Sequence, residues 1–366
     1  MDPGSDQTPP VGPRPIRIHF WQPIRRATFM LTEFDIVDLV ERYKRERDRF
    51  EKMATVVTNR LSAELRANAI RHLPTFRAKG PASLRGKLRI LGASKTMSDF
   101  EPEFAPSLSD LAGVRIMLYD RDDEVATCQI IERLFQLPQD ERCRKDFLIA
   151  DGYRALHRVV TLPSSMIRTD PSFLENLAGV WCEVQVVTLA DHVWNELEHD
   201  IVYKTPDGSA SREQTALLGS LRSEIEAVCS TVRRIVDATA RRKAENRAAI
   251  DSPVDLSAVL SERAGRRLSG SHSDLLRLLT GTLTEVTPAQ LEALPLTGPD
   301  LEAAHQRLTT AGVAVGGAGD VGLVVAALWA GLGPDFLEVA AHWTGRPGPM
   351  AQLLRRIESA ERAGRM

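Results

Sequence analysis

The chain has 366 residues, 43% hydrophobic and 26% charged, with a formal net charge of −2. Such a composition suits a globular protein with one large core and a smaller unit, and near-neutrality argues against wholesale coating of nucleic acid. The cysteines Cys128, Cys143, Cys182 and Cys229 form no CxxC pair, which argues against a disulfide framework or a zinc knuckle and fits a reducing cytosol.

Residues 1–31, opening MDPGSDQTPPVGPRP, are Pro-rich and lack the apolar stretch of a signal peptide, so they read as an extended or disordered arm. Thr32 with Asp35 resembles a capping box. It opens a helical pattern with Ile36, Leu39, Val40 and Tyr43 on one face, running to about residue 72 as one helix or two. LPTFRAKGPASLRGKLRILGASK follows, mixing a short strand, a Gly-Pro turn and a short helix. Arg77, Lys79, Arg85, Lys87, Arg89 and Lys95 stand here with no acid among them. The plainer reading is a solvated basic face. The sharper one is a polyphosphate site, because the cations straddle KGPAS, whose backbone N–H groups and serine hydroxyl can face an anion. No GxxxxGK[ST] phosphate loop is present.

DLAGVRIMLY, 110–119, has the length and texture of a buried strand, with Asp110 at its start as either a cap or a functional acid. Residues 124–137 read as an amphipathic helix with Val125, Cys128, Ile131 and Leu134 inward. YRALHRVVTL, 153–162, and WCEVQVV, 181–187, read as strands. Alternation places Tyr153 with His157 on one face, and Glu183 with Gln185 on one face. A carboxylate inside an apolar strand is costly unless it is paired or holds a metal. Two carboxylates from separate strands beside a basic patch suit Mg²⁺, which takes few protein oxygens and completes its shell with phosphates. Strands separated by helices imply an α/β or α+β sandwich with a mixed sheet.

From residue 188 the pattern is helical, over 189–204 and about 211–248. His192, Glu196 and His199 recur at helical spacing, but not as HExxH. IDSPVDLS, 250–257, reads as a linker before Ala/Leu/Gly-rich short helices. Among these, VGLVVAALWAGLG is too short to span a bilayer, so a cytoplasmic protein without membrane attachment is expected. Caps are expected at Thr287 and Asp300, and GGAGDVG is a lone Gly-rich turn with a weak phosphate-loop signal. Three segments result: the arm 1–31, a domain over 32–250, and a helical C-terminal domain over 251–366 serving regulation, oligomerisation (homo-oligomers included) or partner recognition.

In this order RAKGPASLRGK, DLAGVRI, GYRALH and EVQVVTLADHVWNELEHDIVYK, over roughly residues 70–205, resemble the synthetase domain of the RelA/SpoT family, which makes the alarmones ppGpp and pppGpp. The resemblance implies an α+β fold: a nucleotidyltransferase-like mixed β-sheet flanked by helices. It implies Mg²⁺-dependent transfer of the β,γ-pyrophosphate of ATP to the 3′-hydroxyl of GDP or GTP, with release of AMP. Arg77, Lys79, Ser83 and Lys87 would hold the ATP phosphates. Asp110 and Glu183 would be the catalytic metal ligands, Glu183 also a candidate base. Tyr153 would stack on the acceptor guanine, His157 and Gln185 would line its pocket, and His192 and Glu196 would buttress that pocket. The likeness does not reach the last 110 or so residues, and no HD-type hydrolase segment is recognisable upstream.

Three positions depart from the family pattern. Ile149 and Asp151 stand where a lysine and an asparagine usually contact the acceptor, and Val187 replaces an arginine. All three make the acceptor side less cationic. Two further readings therefore stay open: pyrophosphorylation of tRNA 3′-CCA ends or adenosine nucleotides, with VRRIVDATARRKAENR as a candidate nucleic-acid surface, and a non-catalytic nucleotide-sensing domain.

Overall fold

The computed structural model describes residues 31–92, 108–139, 143–148, 152–203, 210–245, 249–283, 285–332, 336, 340, 342–343 and 348–365. The N-terminal arm up to residue 30, Lys95, Ile149 and Asp151 lie outside them. Thr32 and Asp35 form the expected capping box and open α1, Glu33–Ala67. It is one helix, shorter than its apolar pattern: Asn68 closes it and Ala69 adopts a left-handed backbone with φ 60°.

The chain continues through β1 (His72–Ala78), α2 (Pro81–Gly92), β2 (Ala112–Leu118), α3 (Asp123–Leu134), β3 (Arg144–Leu148), β4 (Arg154–Val160), short helices α4 (Ser164–Thr169) and α5 (Pro171–Leu174), and β5 (Cys182–Thr188). The strands form one mixed sheet in the order β1-β2-β5-β4-β3, in which only β2 and β5 run parallel. That is the α+β architecture implied by the sequence. β3 has no counterpart in the sequence reading: RKDFL is a mostly exposed edge strand whose charges hide its pattern.

Alternation sorts the strand residues. Val114, Ile116, Leu156, Val160, Val184 and Val186 join the core with Leu39, Met53, Val57 and Leu61 of α1 and Ile131 of α3. Full burial of each such side chain contributes roughly 1.5–3 kcal/mol. Val125 is 66% exposed, against expectation. Cys128 and Ile131 face inward as expected, but the stripe begins at Glu124, which pairs with Arg154, and runs through Thr127 rather than Val125.

α6 (Leu189–Tyr203) and α7 (Arg212–Glu245) follow, then α8 (Pro253–Ala264), α9 (His272–Thr282), α10 (Pro288–Glu292), α11 (Gly298–Thr310), α12 (Gly319–Leu332) and α13 (Pro349–Arg362). From Ile250 onward these helices build a second core, including Leu256, Leu275, Leu308, Val324, Leu328 and Leu354. Capping boxes open α10 at Thr287 and α11 at Thr297 with Asp300. The Gly-rich turn is packed: Asp320 accepts from Ser269 N and Oγ, and Asp320 N donates to Ser269 Oγ at 3.1 Å. The start of α12 is thereby capped from within and offers no open phosphate cradle. Among the described residues no helix is long and apolar enough to cross a membrane. A cavity of about 330 Å³ beside α13 is lined by Arg355, Arg356 and Arg365. Arg356 and Arg365 donate to the carbonyls of Ala314 and Ala311, where α11 ends, which accounts for their placement.

Candidate active site

The first cluster forms where β1 runs into α2. Lys79 extends the β1–β2 ladder by one bond, its N–H donating to Leu111 O at 2.9 Å. Its carbonyl is fixed from behind by the hydroxyl of buried Tyr43, at 2.6 Å. Lys79 Nζ then lies 2.7 Å from Asp110 Oδ2, and Lys87 Nζ, on α2, 2.8 Å from Asp110 Oδ1. Asp110 sits in the turn before β2, two residues short of the strand it was expected to start. Burial raises its carboxyl, but the charges and hydrogen bonds of Lys87 and Lys79 outweigh this and hold it below the usual carboxylate range. Arg77 and Ser83 are exposed at the same edge.

The second cluster lies on the sheet face turned away from α1. Strand register places Arg115 opposite Gln185, and Gln185 opposite His157. The side chains follow this order. Tyr153 hydroxyl and His157 Nε2 are 3.0 Å apart, and His157 Nδ1 is 3.4 Å from Glu183 Oε1. Gln185 Nε2 donates to Glu183 Oε2 at 2.9 Å, and Arg115 Nε to Gln185 Oε1 at 3.2 Å. Arg115 Nη1 reaches Glu196 Oε1 at 2.7 Å and His192 Nδ1 at 3.1 Å. Phe147 of β3 packs edge-on against the rings of Tyr153 and His157.

Burial raises the Glu183 carboxyl, yet the hydrogen bond and charge of His157, with the Gln185 bond, bring it below the ordinary value. Asp110 pushes it the other way, so the two carboxylates feel one another. Burial raises the Tyr153 hydroxyl to about 12, so it stays protonated. Burial and then Arg115 lower His192, which favours a neutral ring able to accept from Arg115.

Between the clusters lies a gap. Gly113 pairs with Arg77 on one side and Glu183 on the other, so β2 carries no side chain there. A Cβ at Gly113 would meet only Arg77 O, at 3.8 Å. Asp110 and Glu183 are both hard oxygen donors, ionised at neutral pH, and are chemically suited to magnesium. Among the described residues no group of three or more His, Cys, Asp or Glu side chains could hold a metal, so His192, Glu196 and His199 form no zinc cage.

Sequence reasoning missed two residues here. Arg115 lies in what reads as an apolar strand, and only the pairing of β2 with β5, Gly113 opposite Glu183 and Arg115 opposite Gln185, brings it to these side chains. Asp191 is fully buried at the start of α6 and collects Thr188 Oγ1 at 2.6 Å, Arg121 at 3.1 Å and Arg222. Val187 is 2% exposed, packed with Met117 and Ala155 beside Tyr153 and Leu189. A guanidinium there would be desolvated, and Arg115 supplies a cation to this face instead.

Residues 76–208 match the model of the region found in RelA / SpoT proteins. This segment is a RelA/SpoT-type domain. The chain is 29% identical over 141 residues to GTP pyrophosphokinase YjbM of Bacillus subtilis (strain 168), covering 36% of this chain and 56% of that protein. It is 26% identical over 173 residues to GTP pyrophosphokinase YwaC of the same strain, covering 44% and 72%. The chain therefore spans little more than half the length of YjbM. The structure of small alarmone synthetase 1 from Bacillus subtilis aligns over 53% of this chain and 96% of that chain, at 20% identity and a TM-score of 0.42. Both clusters of the RelA/SpoT-type domain fall inside the matched residues.

Proposed function

We propose that the RelA/SpoT-type domain is a magnesium-dependent pyrophosphokinase that moves the β,γ-pyrophosphate of ATP onto the 3′-hydroxyl of GDP or GTP, yielding (p)ppGpp and AMP. The observation that carries the reading is the pairing of a cationic cluster around Asp110 with a hydrogen-bonded cluster around Glu183, on either side of the bare position Gly113. The two GTP pyrophosphokinases similar to this chain support the same class of reaction.

In this reading Arg77, Lys79, Ser83 and Lys87 bind the triphosphate, the lysines exchanging Asp110 for phosphate oxygens. Asp110 and Glu183 hold the magnesium, which neutralises charge on the transferring group. Tyr153 presents its ring to the acceptor base, and His157 and Gln185 fix Glu183 beside the acceptor hydroxyl. The hydroxyl oxygen forms a bond to the β-phosphorus while the bond from that phosphorus to the α,β-bridging oxygen breaks, releasing AMP. The hydroxyl proton passes to Glu183 and on to solvent. Because Glu183 is held ionised, it serves chiefly as ligand and orienter, and in-line positioning with charge neutralisation supplies most of the acceleration.

A second reading, transfer to a tRNA 3′-CCA end or an adenosine nucleotide, is favoured by Val187, whose apolar packing makes the acceptor side less cationic. Incubation of the protein with γ-radiolabelled ATP and GDP, GTP, ATP or bulk tRNA separates the readings. Label on GDP or GTP is expected. Label only on tRNA or ATP overturns alarmone synthesis, and nucleotide binding without any labelled product leaves a sensing domain.

A further inference from the structure

The C-terminal unit meets the RelA/SpoT-type domain at Arg133 of α3, which donates to Gly317 O at 2.6 Å, and at the turn Asp120-Arg121-Asp122-Asp123 between β2 and α3. Arg267, in the loop between α8 and α9, forks onto two acids of this turn: Nη2 lies 2.7 Å from Asp120 Oδ2 and Nη1 2.7 Å from Asp123 Oδ1. Asp120 is 4% exposed, so its charge is compensated by that guanidinium rather than by water. Arg121, which follows Asp120 in this turn, points into the domain. Its Nη2 donates to both oxygens of fully buried Asp191, at 3.1 and 3.2 Å, and its Nη1 to Glu226 at 2.5 Å.

Asp191 is where several elements converge. Thr188, closing β5, donates to it, Arg222 of α7 donates to it, and Arg154 Nε of β4 lies 3.9 Å away. Asn195, one turn further along α6, grips the backbone of Arg154 through both its N–H and its carbonyl. Arg154 directly follows Tyr153, and Asp191 directly precedes His192. One buried carboxylate thus sets the relative position of the aromatic ring and of the helix that buttresses the acceptor pocket.

We propose that Arg267 is a positioning residue for the acceptor side of the RelA/SpoT-type domain, acting through the Asp120–Asp123 turn and the buried Asp191. The inference rests on the proposed pyrophosphokinase reading. The mechanism is competition for a cation. Buried side-chain nitrogens of Arg121, Arg154 and Arg222 already lack hydrogen-bond partners, so the cluster holds no spare acceptor to absorb a shift. Without Arg267, Asp120 and Asp123 stand beside Arg121 with uncompensated charge. They draw its guanidinium off Asp191, and the start of α6 loosens. The lysines, Asp110 and the rest of the ATP side lie outside this chain of contacts.

Full-length Arg267→Ala, assayed by transfer from γ-radiolabelled ATP, is expected to raise the KM for the acceptor by about ten-fold, within the usual range of coupling between sites, with the KM for ATP unchanged. Arg267→Lys keeps the charge without the two-pronged fork and is expected to fall between. Hydrogen exchange in the same proteins should show faster exchange at amides 189–196 in the alanine variant. An unchanged acceptor KM, or equal losses for both substrates, overturns the inference. If the wild type transfers pyrophosphate to no acceptor, the proposed function fails, and exchange at 189–196 then decides alone: faster exchange upholds the positioning role and unchanged exchange overturns it.

Discussion

The two ends of the candidate site hold their charges by different means. Around Asp110, two lysines close on one carboxylate at 2.7 and 2.8 Å, in a compact set drawn from a single stretch of chain and the turn it faces. Around Glu183, one carboxylate is held by a histidine, a glutamine and, one step removed, an arginine, contributed by three strands. The first arrangement is strong and local, and can exchange partners when a better anion arrives. The second is spread over the sheet and resists rearrangement, since moving one member leaves buried neighbours unsatisfied. On the proposed reading, a donor site that must release product and an acceptor site that must orient a hydroxyl would make those two demands.

The sharpest way to break this contrast is to remove the carboxylates. Asp110→Asn and Glu183→Gln are each expected to lower the transfer rate by on the order of 10²–10³-fold, as loss of a preorganised electrostatic group does. Single-turnover rates check this, and a loss below ten-fold in either would remove that residue from the reacting centre. Next in size is Arg115→Ala, which leaves Gln185, His192 and Glu196 without their common cation. An increase of about ten-fold or more in acceptor KM is expected, with ATP KM little changed, from the weight of charge-assisted hydrogen bonds. Steady-state kinetics with each substrate varied in turn would show whether the two ends are separable.

A smaller effect concerns the contact between Tyr153 and His157. Tyr153→Phe keeps the ring but removes the hydroxyl that meets His157, and a rate loss of a few-fold is expected, because a single neutral hydrogen bond contributes about 1 kcal/mol. The smallest is a pH effect on stability. Glu226 is depressed from its ordinary 4.5 to about 2, chiefly by the hydrogen bond from Arg121. An acid with a depressed folded pKa binds fewer protons when folded, so its contribution is present above the ordinary value and is lost as pH falls towards 2. Thermal melts between those limits should fall more steeply for the wild type than for Glu226→Gln.

Much of this was legible in the sequence, and unevenly. β2, β4 and β5 announce themselves because strands buried on at least one face need apolar, β-branched residues in period two. Glu183 with Gln185, and Tyr153 with His157, share a face within their own stretches for the same reason, and the basic run from Arg77 to Lys87 stands out because no acid interrupts it. β3 did not show, since an exposed edge strand imposes no pattern on RKDFL. Arg115 was hidden by depending on register: its partners lie 70 to 81 positions later, and only the pairing of β2 with β5 brings them together. Asp191 was hidden for a related reason. A fully buried acid is tolerable only because three arginines from distant elements reach towards it, and no local spacing records that.

Gly113 carries one last consequence. Adjacent strands stand about 4.8 Å apart, so Arg77 and Glu183, one strand to either side, are separated by roughly 10 Å of bare backbone. The floor of the site is therefore a window in an otherwise continuous carpet of side chains. A methyl group there would touch nothing in the protein closer than 3.8 Å, so the fold has no steric reason to refuse it. On the proposed reading, the vacancy would be a spacing device made by omission, letting reactants lie against the backbone midway between the groups that would hold each of them.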